Sequence, residues 1–214
     1  GQGGVEGLAS ANSVATSPDG RNVYATGSLD DAVSVFERDD VTGALDFLDV
    51  LVDGVEGVDG LDGASGITLS PDGRHVYVAS RSENGVGVFA RDAETGILAF
   101  VEALKSPAIG LGLLNGTRDV VVSPDGRHVY AAGSSDDAVA VFSRNGTTGA
   151  LTLEGGVRDG ARRLDAGHLA GVLDEPQRLH EARGRHELGV GEPVAGEAAL
   201  LGPGDVLGFQ SEPS

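Results

Sequence analysis

The chain contains no cysteine, no methionine and a single lysine, Lys105. Without cysteine there are neither disulfides nor thiolate metal sites, and the redox compartment stays open, so secreted, periplasmic and cytoplasmic locations all remain compatible. Without methionine there is no initiator residue. The first residues already match an inter-repeat loop, so the sequence reads as a fragment or a processed product. No apolar stretch approaches the roughly 20 residues needed to cross a bilayer, and no membrane insertion is expected. Cations are scarce overall: the formal net charge is −18. That balance argues against nucleic acid and anionic membrane surfaces, which need Lys and Arg to neutralise phosphate. An Asp-rich, Lys-poor composition fits a GC-rich genome more simply than a high-salt habitat.

Aromatic residues are also few, three Tyr and six Phe, and their placement is informative. Ser17-Pro18-Asp19-Gly20 recurs as Ser70-Pro71-Asp72-Gly73 and Ser123-Pro124-Asp125-Gly126, each copy 53 residues after the last. Tyr24, Tyr77 and Tyr130 keep the same phase. So do Val35-Phe36, Val88-Phe89 and Val141-Phe142, and Thr42-Gly43, Thr95-Gly96 and Thr148-Gly149. Phe47 and Phe100 share a further phase, with Leu153 in the third copy. A fixed period of this size marks an array in which no unit buries its apolar face alone.

Within the second copy, residues 66–70, 75–79, 86–91 and 97–102 are short and alternating, and each reads as a strand. The segments between them are turns: Pro presets φ in Pro71-Asp72-Gly73, and Gly supplies the positive φ. No apolar period near 3.6 is sustained, so helix is disfavoured. The expected fold is all-β: a partial β-propeller of three four-stranded antiparallel blades with a 53-residue period, spanning residues 1–160, plus an irregular C-terminal tail. A parallel β-helix fits less well, because hairpin turns close three of the four connections. The apolar first strands (Val14-Ala15-Thr16, Ile67-Thr68-Leu69, Val120-Val121-Val122) are expected nearest the axis, buried on both faces, with the tyrosines between blades.

The stretches SPDGRHVYVAS, residues 70–80, and GVGVFARDAETGILAFVE, residues 85–102, resemble the repeat of the β-propeller lactonase family and its YVTN-type relatives. The resemblance covers about residues 1–159. It implies a propeller that is typically seven-bladed, and for some members 6-phosphogluconolactonase activity. It places no catalytic residue here, because the matched positions are turn and core positions of every repeat. A fold does not fix a function. On the residues themselves, the expectation is a non-catalytic β-propeller module for binding or surface interaction. The alternative is a piece of a lactonase-type hydrolase resembling 6-phosphogluconolactonase. Open blade edges predict self-association; no other partner is specified.

The turns between second and third strands and the inter-blade loops should share one rim. It carries Asp30, Asp31, Glu83, Asp136 and Asp137, and the loop over residues 53–63 adds Asp53, Glu56, Asp59 and Asp62. Oxygen-rich loops with glycine suit Ca²⁺, although the spacing matches no EF-hand. The preferred reading is a solvated acidic rim with no cofactor and no metal. Arg81 and Arg118 are the nearby cations for a substrate phosphate. His75, His128 and Asn22 share one phase and read as turn polarity. His168, His180 and His186 match no zinc spacing. Gly110, Gly112 and Gly116 open no helix, so they form no dinucleotide loop. Asn115 and Asn145 begin glycosylation sequons of the kind chance produces often.

Residues 161–214 break the pattern. A fourth Ser-Pro-Asp-Gly is due at 176, where the chain has Pro176-Gln177-Arg178-Leu179. The tail reads as an out-of-frame continuation or a disordered or weakly helical extension, in preference to a separate small domain.

Overall fold

The computed structural model describes residues 4–106, 112–160 and 164–165. The 53-residue period is reproduced strand by strand. The first blade comprises β1 (Ala11–Thr16), β2 (Asn22–Gly27), β3 (Ala32–Arg38) and β4 (Leu45–Val52). The second comprises β5 (Ala64–Leu69), β6 (His75–Ser80), β7 (Gly85–Arg91) and β8 (Leu98–Lys105). The third comprises β9 (Thr117–Val122), β10 (His128–Gly133), β11 (Ala138–Arg144) and β12 (Leu151–Arg158). Each blade is an antiparallel meander in sequence order, and no helix occurs among the described residues. A two-residue strand, β13 (Leu164–Asp165), pairs with β12 and lies just inside the segment expected to be irregular. The rest of the tail lies outside the described residues.

Two local devices repeat with the strands. In each Ser-Pro-Asp-Gly turn the glycine takes φ near 70° and its N–H returns to the serine carbonyl, as from Gly73 to Ser70 at 2.9 Å. Each third–fourth strand pair also carries a β-bulge that the alternation pattern does not show. Phe36 faces Phe47 while Val35 faces Asp49, leaving Leu48 as the extra residue. The bulge aligns Phe36 with Phe47 and Phe89 with Phe100, edge to face at 5.8 and 5.9 Å. Such pairs add about 0.5–1.5 kcal/mol beyond area burial.

The blades stack through two apolar layers. Tyr24, Val33, Val35 and Leu51 of the first blade pack on Ile67, Val76, Val78 and Phe89 of the second. Tyr77, Val86 and Val88 of the second pack on Val120, Val129, Ala140 and Phe142 of the third. The expectation that all three first strands are buried on both faces needs correction. Val14 is 70% exposed where its equivalents Ile67 and Val120 are 6% and 2% exposed. This position is buried only by a preceding blade, so burial follows the neighbour and not the strand.

Each interface also carries a polar clasp. Tyr24 donates to the Gly96 carbonyl at 2.8 Å. Arg91 donates from Nε to the Tyr24 hydroxyl at 2.8 Å, and from Nη2 to Asp19 Oδ2 at 2.9 Å and Asn22 Oδ1 at 2.7 Å. Its Nη1 reaches the Gly73 carbonyl of its own blade. The next interface repeats this. Tyr77 donates to the Gly149 carbonyl, and Arg144 reaches Tyr77, Asp72, the His75 ring and its own Gly126 carbonyl. His75 is thus buried between blades, where burial first and Arg144 second depress its pKa. It is a packing residue of the clasp, a role that turn polarity did not suggest.

Burial pushes the Asp19 carboxyl up, but the Ser17 hydroxyl, the Arg21 N–H and Arg91 outweigh it and hold it at about 2. At Asp72 burial is likewise outweighed by the Ser70 hydroxyl, Arg144 and the Arg74 N–H, again giving about 2. A depressed carboxylate stabilises the fold above its unfolded value of about 3.9, and that contribution is lost as pH falls toward the folded value. We therefore expect the urea midpoint to fall between about pH 4 and pH 2. The double change Asp19→Asn with Asp72→Asn should flatten that slope; an unchanged slope would refute the assignment.

Candidate functional site

The β2–β3, β6–β7 and β10–β11 turns and the inter-blade loops do lie at one end of the sheets. Each turn places a residue in the left-handed region, Asp31, Asn84 or Asp137, with φ of 51°, 57° and 49°. Asp and Asn tolerate that region because their short side chains bond locally. Here the side chains also reach to the following blade: Asp31 Oδ1 accepts from the Gly63 N–H at 2.8 Å, and Asn84 Oδ1 from the Gly116 N–H at 2.7 Å. Asp30 accepts from the Ala9 N–H, and Asp136 from the Asn115 N–H and side-chain amide. Much of the acidic rim is therefore tied to backbone donors.

One part of it is different. Oxygens of Asp53, Asp59 and Glu83 lie within 4.8 Å of one another. Lys105, at the end of β8, donates to Asp59 Oδ1 at 2.6 Å and to Glu83 Oε1 at 2.7 Å. Asp53 Oδ1 accepts from the Leu61 N–H, which fixes its loop. The Glu83 side chain is 12% exposed, and its Oε2 has no hydrogen-bond partner. Burial pushes Glu83 up, Lys105 opposes, and Asp53 and Asp59 push it further up; the net direction is upward. The Lys105 hydrogen bond holds Asp59 below the usual carboxylate range despite burial. Burial works against the Lys105 charge, but the two carboxylates overcome it and hold the ammonium firmly protonated. Three carboxylates in reach of one point are donors suited to a hard cation. The Lys105 ammonium already sits between two of them.

The other sequence candidates fall elsewhere. The Asp62 carbonyl accepts from the Ser82 N–H. Asp137 lines an open cavity of about 410 Å³ with Ala132, Val139, Val157 and Arg158. Arg118 donates to the Ser134 hydroxyl at 3.1 Å, and Arg81 is exposed. The Asn115 side chain is committed to Asp136, while Asn145 accepts from the N–H groups of Thr147 and Thr148. His168, His180, His186 and Gly110 lie outside the described residues. Lys105 was not among the sequence candidates, although its being the one lysine, at the end of a fourth strand facing a run of acids, was a usable signal. No helix of the described residues is long and apolar enough to cross a membrane.

Residues 10–159 match the family described as lactonase, 7-bladed beta-propeller. A curated relative, the 6-phosphogluconolactonase of Bacillus subtilis (strain 168), is 29% identical over 140 residues, covering 65% of this chain and 38% of the relative. The solved periplasmic gluconolactonase of Pseudomonas aeruginosa is 30% identical with a TM-score of 0.60, over 73% of this chain and 43% of that one. The chain spans about two fifths of the length of these relatives. These likenesses overturn the expectation of a non-catalytic module. That expectation arose because every legible motif serves the fold, and the motifs of a fold are silent on chemistry.

Proposed function

This chain belongs to the seven-bladed β-propeller lactonase family, and from that premise we propose that it serves lactone hydrolysis. In that reaction water attacks the ring ester carbonyl, the ring C–O bond breaks, and a hydroxy acid is released. The observation that carries the reading is the family match across all three blades. The relatives' names supply the substrate class, a lactone of a sugar acid. Between phosphorylated and unphosphorylated forms, the rim favours the unphosphorylated one. A phosphate needs several free Arg or Lys, whereas Lys105 is engaged by two acids and the exposed Arg81 stands among turns that are mostly anionic.

Ester attack needs a base to take the proton from water. Glu83 is the carboxylate in these blades best poised for it. Lys105 pins one oxygen, the other is buried without a hydrogen-bond partner, so that water must enter the rim to meet it, and the environment raises its basicity. The test is hydrolysis of glucono-δ-lactone and its 6-phosphate, by this chain and by a seven-bladed protein containing it. Glu83→Gln should lower kcat/KM about 10²–10⁴-fold with the fold intact. Wild-type protein that turns over neither lactone removes the functional reading. Activity that survives Glu83→Gln within a factor of about two removes only the assignment of the base.

A further inference from the structure

The three blades act as controls for one another at the turn between second and third strands. Asp30, Glu83 and Asp136 occupy one repeat phase there. The backbone around them is alike: the N–H groups of Leu29, Ser82 and Ser135 donate to the loop carbonyls of Ala9, Asp62 and Asn115 at 3.1, 3.2 and 2.9 Å. In the first and third blades the acid adds a second tie to that same loop residue. Asp30 Oδ2 accepts from the Ala9 N–H and Asp136 Oδ2 from the Asn115 N–H, both at 2.8 Å. Glu83 takes no such bond from the Asp62 N–H. Its side chain is one methylene longer than that of Asp, and among the described residues its hydrogen-bond donor is Lys105 alone.

Lys105 is as particular to this blade as Glu83. Its phase holds Val52 in the first blade and Arg158 in the third. Arg158 donates to the Gly112 carbonyl and stays 3.5 Å from Asp136. The phase of Asp59 holds Glu6 and Gly112. The chain of contacts from Asp59 to Lys105 at 2.6 Å and on to Glu83 at 2.7 Å therefore occurs in one blade of the three, while the turn-to-loop backbone bonds form in all of them. A requirement of the fold recurs with the repeat, and this arrangement does not.

We propose that Lys105, tethered by Asp59, is the positioning residue of Glu83, an acid released from the stapling role that its equivalents keep. The ammonium fixes Oε1, and Oε2 is left buried and without a partner in one direction. An Asp at this position would commit an oxygen to the loop N–H, as Asp30 and Asp136 do. The part Lys105 plays in hydrolysis rests on the lactonase reading above. It acts there through the base and not on the lactone: it limits the rotamers of a long side chain, so that the oxygen taking the proton from water keeps one position.

Because Lys105 is the one lysine, nitrogen-15 lysine labelling of the full chain gives a single side-chain ammonium signal. At low temperature and mildly acid pH, Glu83→Gln and Asp59→Asn should each shift that signal and speed its hydrogen exchange. Glu83→Asp restores the residue of the other two blades, and the Asp62 amide should then exchange about tenfold more slowly. In a seven-bladed protein containing this chain, Lys105→Val should leave circular dichroism and the melting midpoint in place. It should lower kcat on glucono-δ-lactone about tenfold or more with little change in KM. Lys105→Arg should recover most of that loss. An ammonium signal indifferent to Glu83→Gln, or an Asp62 amide indifferent to Glu83→Asp, overturns the proposal whatever the activity. Wild-type protein inactive on lactones removes the lactonase reading, and the two exchange measurements still decide whether Lys105 holds Glu83. Full activity in Lys105→Val overturns the positioning role, as does a loss that follows a lowered melting midpoint and is not recovered by Lys105→Arg.

Discussion

Arg91→Ala and Arg144→Ala should each cost about 3 kcal/mol of folding stability, whereas Arg38→Ala in the same repeat phase should cost well under 1 kcal/mol. The difference is one of partners. Arg91 and Arg144 are only 2% exposed at the side chain and serve two blades at once. Removing either takes away the donor to a buried Tyr hydroxyl, which keeps only its bond to the glycine carbonyl, and leaves an Asp carboxylate without its counter-charge. Losing one partner of a fully buried ion pair costs about 3–5 kcal/mol. The lower part of that range applies because Asp19 and Asp72 are more than a third exposed and water can reach them. Thermal melts at neutral pH should show midpoints lowered by roughly 6–12 °C for the two inner arginines, using about 2–4 °C per kcal/mol for this chain length. Equal losses at all three positions would mean that the guanidinium acts within its own blade and not across the interface.

Gly149→Ala should destabilise by about 2–4 kcal/mol, and Gly43→Ala by only about 1 kcal/mol. Both glycines have φ near 75–80°, so both substitutions carry the left-handed strain of an L-residue. Only at Gly149 does the new methyl also meet the His75 ring. That ring cannot swing away cheaply, because it is buried and contacts Arg144. Chemical denaturation of the two variants side by side separates strain from collision. Matching losses would show that the His75 contact is soft.

The strand plan was legible because alternation and turn residues are local signals, and each blade is built from hairpins between adjacent strands. The bulge at Leu48, Val101 and Glu154 was not, since one extra residue leaves the composition of a strand unchanged. The clasp was half legible. Asp19 and Tyr24 stood out by their period, but Arg91 lies 72 residues from Asp19 and nothing local marks it as a partner. The acids of the rim stood out in the sequence, yet the Asp53, Asp59 and Glu83 cluster emerges only when the loop over 53–63 folds back on the β6–β7 turn and Lys105 meets them. Burial of first strands was misjudged because burial is set by the preceding blade, which no property of a single strand encodes.

The reach of the clasp also sets a clock on synthesis. Hairpins within a blade join residues close in sequence and form on the microsecond scale, but Asp19 meets Arg91 and Tyr24 meets Gly96 only after some 72 further residues have been made. At about 5–20 residues per second a ribosome needs roughly 4–14 seconds to deliver them. Once β4 ends at Val52 the first sheet is complete, and its tyrosine face stays bare for the roughly 40 residues still to be made before Arg91 and Gly96. Chaperone engagement of the nascent chain should therefore peak while the second blade is being made and fall away once Arg91 and Gly96 have cleared the exit tunnel.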